Sequence, residues 1–186
     1  MRRKVGVLGV IGVGLCLHLS GCAGGSSSGS QPPPPAKPDP AVWINDFCGA
    51  ILPLGDLGQQ QAPKPAQGDL AAAKQAVSDS LGKIKDALSP AIEDLGKLGP
   101  APEPAGEQAK AKLLEVFTPA HQQAVDAKAK LDAAPVSAAP VQEAATALVS
   151  VGDKLTSLEK PLADLQSSPQ LDGAAKQSAN CQKLEK

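Results

Sequence analysis

The sequence predicts an all-α fold, an antiparallel helical bundle of three long and two short helices, and three observations lead there. Aromatic residues are nearly absent, limited to Trp43, Phe47 and Phe117 with no tyrosine, whereas β-domains draw on aromatic and β-branched side chains. Ala, Leu, Lys, Gln and Glu make up the periodic segments, all of them good helix formers. Apolar residues alternate at spacings of three and four, and Gly/Pro turns recur roughly every 30 to 40 residues. Turns that frequent fold the chain back, which favours an intramolecular bundle over an extended coiled coil.

Ahead of the helices, residues 1–21 read as a secretory signal peptide. Arg2, Arg3 and Lys4 form a charged start, Val5 to Leu19 a short apolar run, and the run breaks abruptly into Cys-Ala-Gly-Gly-Ser-Ser-Ser. Its 15 residues fall short of the roughly 20 a helix needs to cross a hydrocarbon core, so a permanent transmembrane helix is the weaker reading. Leu19, Ser20, Gly21 and Cys22 resemble the bacterial lipobox, with a branched apolar residue and two small residues before a cysteine. The resemblance covers residues 1–22 and all four positions fit. It implies cleavage between Gly21 and Cys22, diacylglycerol (palmitate among its acyl chains) on the Cys22 sulfur, and a lipid anchor on the extracytoplasmic face of a cell membrane. Small residues suit a protease that binds this stretch extended in a narrow cleft.

Residues 22–38 are expected to be a flexible tethering linker. From Ala23 to Pro40 the chain reads AGGSSSGSQPPPPAKPDP, with no large apolar residue to bury. The Gly/Ser half predicts coil, and the proline half predicts polyproline II at about 3.1 Å per residue. No arginine flanks the proline tract to orient it in an aromatic groove, so it reads as a spacer.

The folded part is expected over 39–186. Asp39 is a good N-cap with Pro40 at the first helical position, and Ile44, Phe47, Cys48 and Ile51 follow at helical spacing in a short helix ending near Pro53. Asp69 should cap a second helix from Leu70 to about Leu98, with Leu70, Val77, Leu81, Ile84, Leu88, Ile92 and Leu95 on its stripe and Gly99-Pro100 as its stop. A third, from about Pro104 to Ala134, carries Leu113, Phe117, Ala120, Ala124, Ala127 and Leu131 before Pro135. The fourth has the most regular stripe: Val141, Ala144, Leu148, Val151, Leu155, Leu158, Leu162 and Leu165, with Ser137 as its cap. Ser168 and Pro169 then open a short C-terminal helix that includes Leu171, Cys181 and Leu184. Pro90, Pro119 and Pro161 fall inside predicted helices, where each removes a hydrogen bond; a kink that curves the helix is the plain expectation, a splayed groove the sharper one.

Signal-peptide removal takes both arginines and one lysine but no carboxylate, leaving 15 cations against 19 carboxylates, a net charge of −4. That sign predicts no nucleic-acid partner, and the absence of arginine removes the bidentate grip on phosphate. Of four cysteines, Cys16 leaves with the leader and Cys22 carries lipid. Export to an oxidising compartment then makes a Cys48–Cys181 disulfide the default and two buried free thiols the alternative.

The residues predict no enzyme. His121, the one histidine after residue 21, has alanine at position 124 where a second metal ligand would be wanted, and reads as a surface or boundary residue. No serine sits in Gly-x-Ser-x-Gly, and the glycines form no phosphate-cradling loop, so neither cofactor nor metal is expected. Adjacent carboxylates such as Glu93 and Asp94 lie beside Lys97 and read as solvated helix charge. Three functions are weighed: a non-catalytic, membrane-tethered interaction or scaffold module of the cell envelope with an envelope protein as partner; a carrier of a lipid or small apolar ligand between helices; and, most distantly, a carboxylate-dependent hydrolase. The LSGC box, the Gly/Ser/Pro stalk and the paired outer cysteines together resemble the small, alanine-rich, largely uncharacterised envelope lipoproteins of high-GC Gram-positive bacteria. That resemblance implies an anchor in the outer leaflet of the cytoplasmic membrane and carries no binding residues with it.

Overall fold

A capping aspartate starts the first helix and a second one starts the next, and between them they set the frame of the molecule. The computed structural model describes residues 38–59, 68–157, 163, 165 and 167–184, all within the unit Ala36–Lys186. The expected signal peptide, the lipobox residues Leu19, Ser20, Gly21 and Cys22, and nearly all of the linker lie outside the described residues, as do Leu158, Pro161 and Leu162. The elements are all helices: α1 (Pro40–Gln59), α2 (Leu70–Lys97), α3 (Pro104–Ala133), α4 (Ala138–Thr156), α5 (Pro169–Gln177) and α6 (Ala179–Leu184). No strand occurs among the described residues.

At α1, Asp39 Oδ1 accepts from the Ala41 amide at 2.8 Å, as expected of an N-cap. The helix then runs through Pro53, where the sequence led us to expect its end. Leu54 packs on the core and Leu184 approaches to 3.9 Å of the position a Gly55 Cβ would take, so tertiary contact carries the helix past one missing hydrogen bond. At α2, Gly68 adopts a left-handed φ of 97°, which positions Asp69 so that its Oδ1 accepts from the Ala72 amide at 2.9 Å. Leu70, expected on the buried stripe, is 43% exposed, because it lies in the first turn beyond the reach of the core.

Ser137 holds the N-cap position of α4 with extended backbone, but its hydroxyl makes no capping bond. Instead of continuing unbroken to Leu165, α4 ends at Thr156. There the Thr156 and Ser157 hydroxyls turn back to donate to the Asp153 and Lys154 carbonyls, the local competition by which such residues interrupt helices. Leu165 is buried nonetheless. The expected single C-terminal helix is divided at Ser178, whose hydroxyl accepts from the Cys181 amide at 3.3 Å and so caps α6. The lengths are therefore 28 and 30 residues for α2 and α3, 20 and 19 for α1 and α4, and nine and six for α5 and α6.

Helices α2 and α3 lie antiparallel: Ser78 meets Asp132 near one end, and Ser89 Oγ lies 2.9 Å from His121 Nε2 further along. Pro90 and Pro119 thus fall at the same level of this hairpin. The apolar interior has two parts. The larger gathers Trp43, Ile44 and Phe47 of α1, Leu88 and Leu95 of α2, Leu113 and Phe117 of α3, and Leu171 of α5. The smaller joins Leu81, Ala124, Leu131 and Ala144 of α2, α3 and α4, and Ile84 packs against both.

Trp43 ties α1 to the α2–α3 turn. Its ring stacks on Phe47 with centroids 5.1 Å apart, and its Nε1–H donates to the Gly99 carbonyl at 3.1 Å. Gly106 leaves the space: a Cβ there would fall 2.8 Å from Ala101 Cβ and 2.9 Å from Trp43 Cη2. Gly106→Ala is expected to destabilise by about 1–3 kcal/mol despite alanine's better helix propensity. Urea unfolding checks this, and an unchanged midpoint would mean that the first turn of α3 shifts freely.

Candidate functional site

Small residues where α3 and α4 face each other keep the floor between the two helices low. Ala127 of α3, Ala134 just after it, and Ala139, Ala144 and Ala147 of α4 line an open groove of about 910 Å³, with Pro119 at one end and Pro140 towards the other. Its α3 wall runs from residue 119 to 134, about 22 Å at 1.5 Å rise per residue. The rim is polar. Lys154 Nζ donates to Gln123 Oε1 at 2.6 Å across one end, and Lys130 Nζ lies 4.0 Å from Glu143 Oε1 across the other. Between them Asp126 accepts from Gln122 at 2.9 Å. Both charge signs and two amides therefore ring an alanine floor, an arrangement able to hold a partner surface or a small amphipathic molecule but carrying, among the described residues, no Ser, Cys or His in its lining.

Behind the groove a polar cluster fixes α2 against α3. Asp132 Oδ1 accepts from the Ser78 hydroxyl at 2.6 Å and its Oδ2 from Lys128 Nζ at 2.8 Å, while Lys128 also donates to Ser78 Oγ. Lys74 Nζ reaches the Ala134 carbonyl at 2.6 Å and so caps the C-terminal end of α3, where a cation is favoured. The Lys128 hydrogen bond foremost, with that of Ser78, holds the Asp132 carboxyl below its ordinary value of 3.8. A depressed carboxylate contributes stability in full above the unfolded value and loses it as pH falls through the folded one. Wild type should accordingly melt above Asp132→Asn at pH about 7, and the gap should narrow as pH falls below the ordinary carboxylate range and Asp132 takes up its proton in the folded state. A gap that persists in acid would place the effect in shape, not charge.

Of the residues singled out from sequence, Leu19, Ser20, Gly21 and Cys22 lie outside the described residues. Cys48 and Cys181 come together as a disulfide, with sulfurs 2.07 Å and Cα atoms 5.0 Å apart across 133 residues of chain. His121 is half-buried and faces Ser89. Glu93 and Asp94 lie 2.6 and 3.9 Å from Lys97, whose hydrogen bond holds the Glu93 carboxyl low. Among the described residues no three His, Cys, Asp or Glu side chains are placed to hold a metal ion, and no helix is long and apolar enough to cross a membrane. Periodicity missed the polar seam beside the disulfide, where Ser178 Oγ donates to Asn45 Oδ1 at 3.0 Å and Asn180 Nδ2 to the Asn45 carbonyl at 3.1 Å. The groove has two sequence signals: Pro119, one of the prolines for which a splayed groove is the sharper expectation, lies in its lining, and alanine stands along it where leucine alternates elsewhere.

Comparison with protein-family models, with curated proteins and with solved structures gave no match.

Proposed function

We propose that the chain is a lipid-anchored extracytoplasmic protein whose antiparallel helical bundle serves as a non-catalytic interaction or scaffold module of the cell envelope. In this reading residues 1–21 are removed, Cys22 holds diacylglycerol in the membrane, and the Gly/Ser/Pro stretch holds the bundle away from the bilayer. The lipobox resemblance supports the anchor. The α3–α4 groove carries the interaction reading, since it is a long, open surface with a charged rim on a disulfide-stapled framework.

Two experiments test it. Membrane-extracted protein should have lost residues 1–21, gained the mass of a diacylglycerol and partition into detergent, whereas Cys22→Ser should stay in the aqueous phase; identical partitioning of the two would remove the anchor. For the groove, an envelope protein captured by wild type should also be captured by Val149→Ser, an exposed position outside the lining, and be lost at least tenfold with Ala139→Trp or Lys130→Glu. Equal capture by all four would place the interaction elsewhere.

A second reading, a carrier of a lipid or small apolar ligand, has one observation in its favour. The groove volume lies within the roughly 300–1,000 Å³ typical of small-molecule sites, over a floor of Ala127, Leu131, Ala144 and Ala147. Native mass spectrometry separates the two, because a carrier should show a ligand-bearing mass that Ala139→Trp reduces.

A further inference from the structure

We infer that α5 and α6 form a redox latch on α1: a dithiol reductant that opens the Cys48–Cys181 bridge releases these two helices while the α2–α3 hairpin keeps its own core. The inference is independent of the lipid anchor and of the groove.

Four observations carry it. Helices of nine and six residues are below the roughly 12–15 needed for independent stability, so α5 and α6 depend on what they touch. Their main packing partner is α1. Beside the apolar contacts of Leu171, Ala174, Ala175 and Leu184, the contact of α1 with this segment includes a polar seam: Asn45 takes the hydroxyl of Ser178 and the side-chain amide of Asn180, and Gly49 lets the chains approach so closely that a Cβ there would lie 2.9 Å from Asn180 Nδ2. The smaller core, built on Leu81, Ala124, Leu131 and Ala144, includes no residue of α1, α5 or α6. The bridge is thus the one crosslink between α1 and two helices too short to stand alone, held otherwise by a few apolar contacts and the Asn45 hydrogen bonds, and the rest of the bundle has interior to stand on without it.

The chemistry is thiol–disulfide exchange. One thiolate of the reductant attacks a bridge sulfur, the Cys48–Cys181 bond breaks, and the other cysteine leaves as a thiolate that takes up a proton. The second thiol of the reductant then closes on the mixed disulfide and frees the remaining cysteine. Two electrons pass to the protein and the reductant departs as its own disulfide. Both half-cystines are buried, 6% and 7% exposed, so attack follows opening of the C-terminal turn, where helices fray most easily. Release uncovers the α1 face that bears Asn45, Cys48 and Gly49.

Hydrogen exchange of the full chain, with and without dithiothreitol, tests the latch. Reduction should quicken exchange across 169–184 at least tenfold more than across 124–133, the part of α3 in the smaller core. Equal quickening of both segments would mean that the bridge holds the whole bundle, and no quickening would mean that packing holds the latch unaided; either result overturns the inference. Asn45→Ala in the oxidised protein should leave 169–184 protected. Release by that substitution alone would assign the hold to the hydrogen bonds.

Discussion

Replacing Cys48 and Cys181 together with serine is expected to lower stability by about 2–5 kcal/mol, among the largest effects accessible with so small a change. The upper figure comes from chain entropy: a closure spanning 133 residues of sequence removes about 5 kcal/mol of freedom from the unfolded chain. The observed loss should fall short of that ceiling, because a latch that lifts from α1 gives freedom back to the folded chain as well. Urea unfolding checks both points. The midpoint should drop, and the slope should steepen as an uncrosslinked denatured state exposes more surface. An unchanged midpoint would show the bridge to be energetically silent in this fold.

Phe117→Ala is the second large effect, expected at about 3–5 kcal/mol. Phe117 is completely buried at the centre of α3, in the core that also contains Leu113, Leu88 and Leu95. Truncation leaves a void that rigid helices on several sides cannot fill. Phe117→Leu should recover most of the loss, since leucine restores much of the apolar volume. Thermal or chemical unfolding of the pair gives the answer, and equal stability of the alanine variant and wild type would mean that the neighbouring helices collapse into the space.

Local chemistry was legible wherever it acted within a few residues. Asp39 and Asp69 bond the amides that an N-cap should bond, and Leu81, Leu88, Leu95, Leu113, Phe117, Ala144 and Val151 are buried on the stripes their spacing predicts. Pro53 was misread because what keeps α1 going is contact with distant partners such as Leu184. Ser178 divides the last helix for a similar reason: its hydroxyl has a partner, Asn45, 133 residues away, and no local pattern announces such a pair. Serine and threonine at 156, 157 and 178 carry a signal, the tendency of their hydroxyls to compete with helical bonds, but it is weaker than that of a leucine stripe with unbroken spacing. The α3–α4 groove depends on where two helix axes come to lie, which the alanines allow but do not dictate.

The bridge also changes what a cut does to this protein. The bond from Cys48 to Cys181 turns all the chain between them into a ring, with the residues before 48 and after 181 lying outside it. A protease that severs one peptide bond in the ring opens it without separating anything: α2, α3 and α4 stay covalently joined to the segment entering at Pro40. A nicked molecule should therefore migrate as a single species on a non-reducing gel and divide into two fragments only when reductant is added, so that redox state, not proteolysis alone, decides whether anything is shed.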